Sequence, residues 1–380
     1  MRKAQVIIGA NYGDEGKGLL TDYFASQNPN SLIVRFNGGA QAGHTVVSPD
    51  GRRHVFSHFG SGSFLDAPTF LSKFFIVNPM LFTKELDELR SKNIQPEVLV
   101  DPRALVSTPF DVFINQSVEL HRGGGRHGSC GVGINETVTR CLRSLHFCTR
   151  VKDLLDEDNL RNHLLDLSHK WLLPRLFEHQ IDQNLEPVQS FLSQVEKIIE
   201  RFISDTNAFL NAVTITKDCP ADKQIIFEGA QGLMLDELRS DQFPHVTRSR
   251  TGLTNVIELI PQFDIDELGV TYVSRTYITR HGAGPLRGEE QFSFPDATNV
   301  PNPFQGHLRF ARLDPGELSY SIERDLKNAR TAFSRIDANL AFTCADQIPL
   351  PAQRSLPLPR SFISFGPTRA DITETVLSKR

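Results

Sequence analysis

The sequence predicts an α/β fold, a large and mostly parallel central sheet with flanking helices and an appended helical subdomain. Three observations lead there. Apolar runs of strand length alternate with helical segments along the chain. Several of those runs break straight into glycine-rich loops, as strands do at the ligand-binding edge of an open sheet. One stretch, residues 151–212, reads as helix nearly throughout.

The chain has 380 residues, 39% hydrophobic and 23% charged, with 27 Phe to fill a core. That is the profile of a soluble globular protein. One large domain over 1–380, with 151–212 as a helical subdomain inside it, is the expected organisation. A net charge of −4 argues against a nucleic-acid polymer as partner. No run is long and apolar enough to span a bilayer, and the N-terminus does not have the form of a signal peptide, so a cytoplasmic location without membrane attachment is expected. The five cysteines form no Cys-x-x-Cys pair and read as reduced thiols.

The first element runs Gln5-Val-Ile-Ile-Gly-Ala-Asn-Tyr-Gly13-Asp14-Glu15-Gly16-Lys17-Gly18. A strand opens into three glycines that bracket two acids and a lysine, and a helix is expected from Leu19 to Ala25. Glycines permit positive φ and close approach, and a helix start offers N–H groups to an anion. The spacing is not that of an ordinary P-loop. A tight turn with solvated charges is the competing reading. Against it stands Asp14, because a carboxylate beside phosphate needs a metal or a proton-transfer task.

Leu32 to Phe36 reads as a buried strand leading into Asn37-Gly-Gly-Ala-Gln-Ala-Gly43-His44-Thr45. Two such loops on neighbouring strands would meet at one sheet edge. His44 is either a hydrogen-bonded loop histidine or part of a site. Strands are expected at Val55 to Phe59, Phe74 to Val77 and Val98 to Val100, with a helix from Leu81 to Arg90.

Residues His121 to Gly133 hold six glycines, which suits either a mobile linker or a lid over an anion, with Ser129, Asn135 and Thr137 as donors. Arg140 and Arg143 follow on an expected helix, within reach of a phosphate or simply in solvent. In the helical stretch Phe191, Leu192, Val195, Ile198, Ile199, Phe202 and Ile203 form one apolar stripe, and Pro174 and Pro187 divide it into separate helices.

Gln224 to Phe227 is a strand ending in Glu228-Gly-Ala-Gln231-Gly. Gln231 has an amide able to read a heterocycle or to brace its own loop. Val246 to Gly252 is a polar loop fit for a phosphate or carboxylate. Val270 to Thr279 alternates as a strand and ends in Arg280-His-Gly282-Ala-Gly284-Pro285. Asn302 to Arg312 gathers donors, where paired arginines suit a carboxylate. Two last strands end in Thr343-Cys344-Ala345-Asp346 and Ser364-Phe365-Gly366-Pro367.

Taken together and in this order, Gly13-Asp-Glu-Gly-Lys-Gly18, Asn37-Gly-Gly-x-x-Ala-Gly-His-Thr45, and Phe227-Glu-Gly-Ala-Gln-Gly232 with Pro244-x-Val-Thr247 resemble the adenylosuccinate synthetase family. The resemblance runs from the first strand to the last. It implies a P-loop-NTPase-like fold and a C–N ligase of purine biosynthesis. GTP would phosphorylate the 6-oxygen of IMP, and L-aspartate would then displace phosphate to give adenylosuccinate.

By that resemblance Asp14, His44 and Gln231 are catalytic. Asp14 would take the purine N1 proton, and Asp14 with the Gly43 carbonyl would hold Mg2+. Gly13, Glu15, Gly16, Lys17, Gly18, Gly43, Thr45, Asp346, Ser364 and Gly366 fall on the triphosphate. Asn37, Gly38, Ser129, Cys130, Arg140, Gln231 and Thr247 fall on the purine monophosphate. Arg309 and His307 fall on aspartate. Arg140 matches an arginine lent across a dimer, which implies a homodimer.

The chain departs from the family at Cys130, in place of a threonine, at Val132, where bacterial members have an arginine, and at the guanine motif, which lacks its lysine. His307 and Leu308 stand where arginines are expected. Two alternatives follow: a viral-type 2-aminoadenylosuccinate synthetase acting on GMP or dGMP with ATP or GTP, and an inactive purine-nucleotide sensor. Asp14 favours IMP, and the small Cys130 favours a different base or sugar.

Overall fold

The structure, a computed structural model, describes residues 1–292, 294 and 307–375. Its central sheet has ten strands. In chain order they are Lys3–Gly9 (β1), Ser31–Arg35 (β2), Thr69–Leu71 (β3), Val98–Val100 (β4), Thr214–Ile215 (β5), Gln224–Gly232 (β6), Glu267–Arg275 (β7), Ile336–Thr343 (β8), Arg360–Ser364 (β9) and Ile372–Glu374 (β10). Across the sheet they lie in the order β10, β9, β8, β7, β1, β6, β2, β3, β4, β5. Every neighbouring pair is parallel except β9 with β10.

The apolar runs of the central strands reflect burial on both faces. Val6 and Ile8 of β1 pack toward helices α9 (Thr254–Phe263) and α10 (Pro315–Ala332). Ile7 packs on the other face, with Leu19, Leu20 and Ala25 of α1 (Lys17–Gln27).

A second core lies beyond β4. It joins helices α2 (Pro79–Ser91), α3 (Pro109–Arg122) and α4 (Ile134–Arg143) to α5 (Glu157–Leu167), α6 (Leu173–Glu178), α7 (Glu186–Leu192) and α8 (Val195–Leu210). Phe82 of α2 meets Phe209 of α8 edge-on at 4.9 Å, and Phe113 of α3 stacks on Phe191 of α7 at 3.8 Å. The helices of 151–212 therefore share a core with α2 and α3 rather than enclosing one of their own. Pro187 sits in the first turn of α7, where a missing N–H costs nothing. Pro174, by contrast, does not divide the chain into separate helices as expected: it follows a π turn, Ser168–Leu172, that joins α5 to α6 without a break. The apolar stripe is split at Ser193 and Gln194, with Phe191 and Leu192 ending α7 and the rest on α8.

Four sequence expectations change. Strand 55–59 becomes Arg53–Phe56, paired antiparallel with His44–Val47 as a hairpin outside the main sheet. Phe74 to Val77 shortens to Ile76–Val77, beside Leu105–Val106. The run from Val270 to Thr279 breaks at Thr276, whose N–H bonds the Thr343 carbonyl, so that Tyr277–Arg280 leaves the sheet to pair with Arg309–Arg312. Finally, β1 and β2 are not neighbours, because β6 is inserted between them. Among the described residues no helix is long and apolar enough to cross a membrane.

Candidate active site

The three motif loops leave the carboxyl ends of β1, β6 and β2, which lie side by side. The insertion of β6 puts Glu228 and Gln231 between the other two loops. Against β1, positions 228 to 232 of β6 oppose Ile7 to Gly9, so the strand bulges there. Gln231 takes the bulge at φ 61°, a strained setting for a side chain of its size.

The opening loop is braced from within. Glu15 Oε1 accepts from the N–H groups of Asn11 (3.0 Å) and Gly13 (2.8 Å). Glu15 Oε2 takes the Lys17 ammonium at 2.7 Å, and both residues are buried. Glu15 is thus a strut that shapes the loop and places Lys17; its carboxylate faces inward, not toward a phosphate. Gly9 is required here, because a Cβ would lie 2.4 Å from the Gln231 carbonyl and from Glu15 Oε2. Gly16, with φ 96°, caps α1, whose first N–H groups would suit an anion. The Thr343 hydroxyl at the end of β8 holds the Glu15 carbonyl at 2.7 Å.

Asp14 stands at the top of this loop with φ 61° and a partly exposed side chain. Its carbonyl accepts from Arg275 Nε at 2.6 Å, and its carboxylate lies 3.2 Å from His281 Nε2. Burial pushes its pKa up. The hydrogen bond and charge of His281, with Arg275 and Lys17, more than reverse that and leave it below the usual value. Asp14 is ionised at neutral pH, as a base must be.

His44 is buried at the start of its hairpin. Nδ1 lies 2.7 Å from Glu228 Oε1, and Glu228 also accepts from the Ser61 hydroxyl and from the Ser61 N–H at 3.1 Å. A carboxylate only accepts, so the proton is on Nδ1 and Nε2 carries a lone pair. Burial lowers the His44 pKa to about 4 despite Glu228. Glu228 stays ionised beside His44 and the buried Arg35 guanidinium. His44 Nε2 is buried without a hydrogen-bond partner, and so is Gln231 Oε1. Unpaired polar atoms in a native interior call for an explanation, and a ligand supplies one.

Glu228 is a site residue that the sequence reading passed over, although an acid ending an apolar strand is a legible signal. Gln41 is another, with both amide atoms buried and unpartnered beside Gly38. Asn37, by contrast, spends its amide on Ala230, donating to the carbonyl at 3.0 Å and accepting from the N–H at 2.7 Å. It staples the second loop to the third through a side chain that is fully buried. The Gly38 N–H donates to the Ser249 hydroxyl at 3.2 Å. Gly18 lets the hairpin close on α1, since a Cβ there would meet the Thr45 carbonyl and His44 Cβ at 3.0–3.1 Å. Gly43 is exposed at the hairpin's start.

The glycine-rich segment is pinned along α3. Asn115 donates to the Ser129 hydroxyl (2.8 Å) and accepts from the Gly133 N–H (3.2 Å), and Gln116 holds the Gly131 carbonyl at 3.0 Å. Gly128 packs directly on Gly282, where a Cβ would come within 2.6 Å of its Cα. Burial raises the Cys130 thiol to about 11, so it is neutral.

Arg140 corrects the expectation placed on it. It is fully buried, with Nε and Nη2 on Asp111 at 2.9 and 2.7 Å, Nη2 also on the Val106 carbonyl, and Nη1 on the Phe147 carbonyl and Thr149 hydroxyl. All five N–H donors are spent inside the subunit. It can neither reach a phosphate nor be lent to a second copy, and the homodimer expectation loses its basis. The exposed arginine of α4 is Arg143, paired with Glu178.

Thr247 is buried in the loop after β6, its N–H on the Leu235 carbonyl at 2.8 Å. Arg309 forks onto Glu289 and donates to the Gly282 and Gly284 carbonyls at 3.0 and 2.9 Å. It braces the Arg280 to Pro285 loop in this structure, and an incoming carboxylate must compete with Glu289. His307 is exposed, and residues 302–306 lie outside the described ones. Asp346 is exposed just past β8, while Ser364 donates to the Gly366 carbonyl at 2.6 Å.

Among the described residues no cluster of three or more His, Cys, Asp or Glu side chains could hold a metal. Magnesium bound with nucleotide phosphates needs only one or two protein oxygens. The Asp14 carboxylate, a hard oxygen donor at the mouth of the cradle, and the exposed Gly43 fit that requirement.

Comparison with known proteins agrees with this arrangement. Residues 6–302 match the family model for adenylosuccinate synthetase. The chain is 33% identical over 297 residues to the adenylosuccinate synthetase of Synechococcus sp. strain CC9902, covering 77% of this chain and 64% of that one. It is 29% identical over 284 residues to that of Borrelia turicatae, covering 74% and 63%. The chain thus spans a little under two thirds of the length of these curated relatives. Its fold superposes on the fully ligated adenylosuccinate synthetase of Plasmodium falciparum with a TM-score of 0.70 at 17% identity, covering 98% of this chain and all of that one. It also superposes on the cyanophage S-2L succinoaminodeoxyadenylate synthetase bound to dGMP and dATP, with a TM-score of 0.63 at 14% identity, covering 99% and 96%. With its three motif loops gathered at one sheet edge and most of its length matching the family model, this chain belongs to the adenylosuccinate synthetase family.

Proposed function

We propose that the protein is a C–N ligase that couples L-aspartate to carbon 6 of IMP, using GTP to phosphorylate the 6-oxygen first. The observation that carries this reading is the unpartnered, buried pair His44 Nε2 and Gln231 Oε1 on the two loops beside the Asp14 cradle. A 6-oxopurine needs a base at N1 and a proton or donor at its oxygen. It also needs an amide that recognises its edge.

Each role has a residue. Ionised Asp14 takes the N1 proton, which turns the 6-oxygen into a nucleophile. His44, taking a solvent proton on Nε2 as the phosphate charge arrives beside it, donates toward the bridging oxygen where charge develops, and Glu228 stabilises that imidazolium. The Lys17 ammonium and the N–H groups at the start of α1 hold the triphosphate. Magnesium, held by Asp14 and the Gly43 carbonyl, would neutralise phosphate charge. Gln231 fixes the purine edge, while Ser129 and Thr247 serve the nucleotide monophosphate.

The test mixes purified protein with IMP, GTP, Mg2+ and aspartate and follows the absorbance of a 6-substituted purine. Asp14→Asn keeps the left-handed backbone, which asparagine tolerates. It should lower the rate by about 10²–10⁴-fold with unchanged thermal unfolding. An unaltered rate sinks the mechanism. A second reading, action on GMP or dGMP, is favoured by the small neutral Cys130 beside Ser129. Substituting GMP or dGMP for IMP, and ATP for GTP, separates the two.

A further inference from the structure

The pair His44 and Glu228 is held by a segment to which the mechanism gives no task. Residues 57–61 follow the hairpin strand Arg53–Phe56 and end on Ser61, which is fully buried. Each of the first four is fixed by a buried side chain from another element. Glu85 of α2 accepts from the Ser57 N–H at 2.7 Å and the His58 N–H at 2.8 Å, one on each carboxylate oxygen. Arg35, at the end of β2, donates to the Phe59 carbonyl at 3.2 Å, and the Thr69 hydroxyl of β3 accepts from the Gly60 N–H at 2.8 Å. Gly60 itself lies on β2, where a Cβ would come within 2.6 Å of Ile33 Cβ. The segment is thus fastened to α2, β2 and β3, and Ser61 is fastened with it.

Ser61 holds the Glu228 carboxylate by both oxygens. Its N–H donates to Oε2 at 3.1 Å and its hydroxyl to Oε1, the oxygen that also lies 2.7 Å from His44 Nδ1. The last torsion of a glutamate has a broad, shallow preference, so the side chain alone does not set the plane of its carboxylate. Two donors from one anchored residue do. Ser61 also stands against α1, since a Cβ added at Gly18 would lie 3.1 Å from its hydroxyl.

We propose that Ser61 is a positioning residue for the reaction: it orients Glu228 so that Oε1 meets His44 Nδ1–H and the ring presents Nε2 to the bridging oxygen. Ser61 touches no reacting atom and acts through Glu228. A hydrogen bond weakens as its angle departs from linear, so a carboxylate free to turn would hold the ring less firmly. Small displacements of a catalytic group are costly to the rate. The inference rests on the ligase reading for what the pair does, and on the hydrogen bonds of Ser61 for how the pair is held.

The experiment measures steady-state kinetics of Ser61→Ala with IMP, GTP, Mg2+ and aspartate. Its kcat should fall about tenfold while KM for the nucleotides stays within about twofold. Ser61→Gly, which loses the same hydroxyl without adding a methyl, should repeat the result. In a Glu228→Gln background Ser61→Ala should cost less than about twofold, because the carboxylate it orients is already gone. An unchanged kcat, or a full tenfold loss in that background too, overturns the proposal. The ring N–H signal of His44 in 15N-histidine-labelled protein, identified by its disappearance in His44→Gln, should move and broaden in Ser61→Ala, and an unmoved signal also overturns it. Wild-type protein without turnover would instead defeat the ligase reading, and the ring signal would then decide the positioning role by itself.

Discussion

His44 Nδ1 lies 2.7 Å from Glu228 Oε1, and that contact fixes which nitrogen of the ring faces the site. Substituting glutamine keeps an acceptor but removes the charge that stabilises an imidazolium. Glu228→Gln should therefore lower kcat by about 10²-fold or more while leaving KM for the nucleotides nearly constant. The pair acts as a unit, so the double variant with His44→Ala should lose no more than the worse single one. Multiplicative losses would show that the residues act separately.

Acid should weaken the fold through the same histidine. Folded His44 resists protonation down to about 4, whereas its ordinary value is 6.5. Its contribution is fully present above about 6.5 and is lost as pH falls toward 4. Urea unfolding of the wild type and His44→Gln across that window should converge at the acid end.

Asp325 should act in the opposite sense. It is half-buried under the loop before α9, accepting from the Leu253 N–H at 3.0 Å and the Tyr272 hydroxyl at 2.8 Å. Burial, with Asp236 nearby, raises it to about 6 from an ordinary 3.8, although these hydrogen bonds oppose the rise. The folded state holds its proton longer than the unfolded chain does. Its stabilisation is thus complete below about 4 and lost as pH rises to about 6. Asp325→Asn should remove that dependence and, at pH 7.5, exceed the wild type by up to about 3 kcal/mol in chemical unfolding.

Arg140→Met should be strongly destabilising, by about 3–5 kcal/mol, because it leaves Asp111 buried and unpaired. Thermal unfolding measures this. Double substitution at Asp111 and Arg140 with apolar residues should recover much of the loss. A variant as stable as the wild type but poor in nucleotide binding would restore the phosphate-binding role.

Gly18→Ala tests the fit of the hairpin on α1. The new methyl would press on the Thr45 carbonyl, His44 Cβ and the Ser61 hydroxyl at 3.0–3.1 Å. A shift of a few tenths of an ångström there moves His44, so kcat should fall by about tenfold or more with little change in stability. An unchanged kcat would mean that His44 tolerates displacement.

The sequence alone determined the sheet's class and the three cradle loops, and it singled out Asp14, His44 and Gln231 as candidate site residues. These depend on local order: a strand breaking into glycine around a polar side chain is visible wherever it occurs. What only the tertiary structure decided is who partners whom. Inserting β6 between β1 and β2 brought Glu228 to His44 across 184 positions, and no local pattern encodes that. Arg140 and Asn37 looked like ligands because they are polar and lie in the right segments. Arg140 turned out to have spent its donors inside the fold, on Asp111 and the oxygens around it, and Asn37 to hold Ala230 by both ends of its amide. A side chain's chemistry is written in the sequence, but whether its hydrogen-bonding capacity is still free depends on groups that only packing brings near.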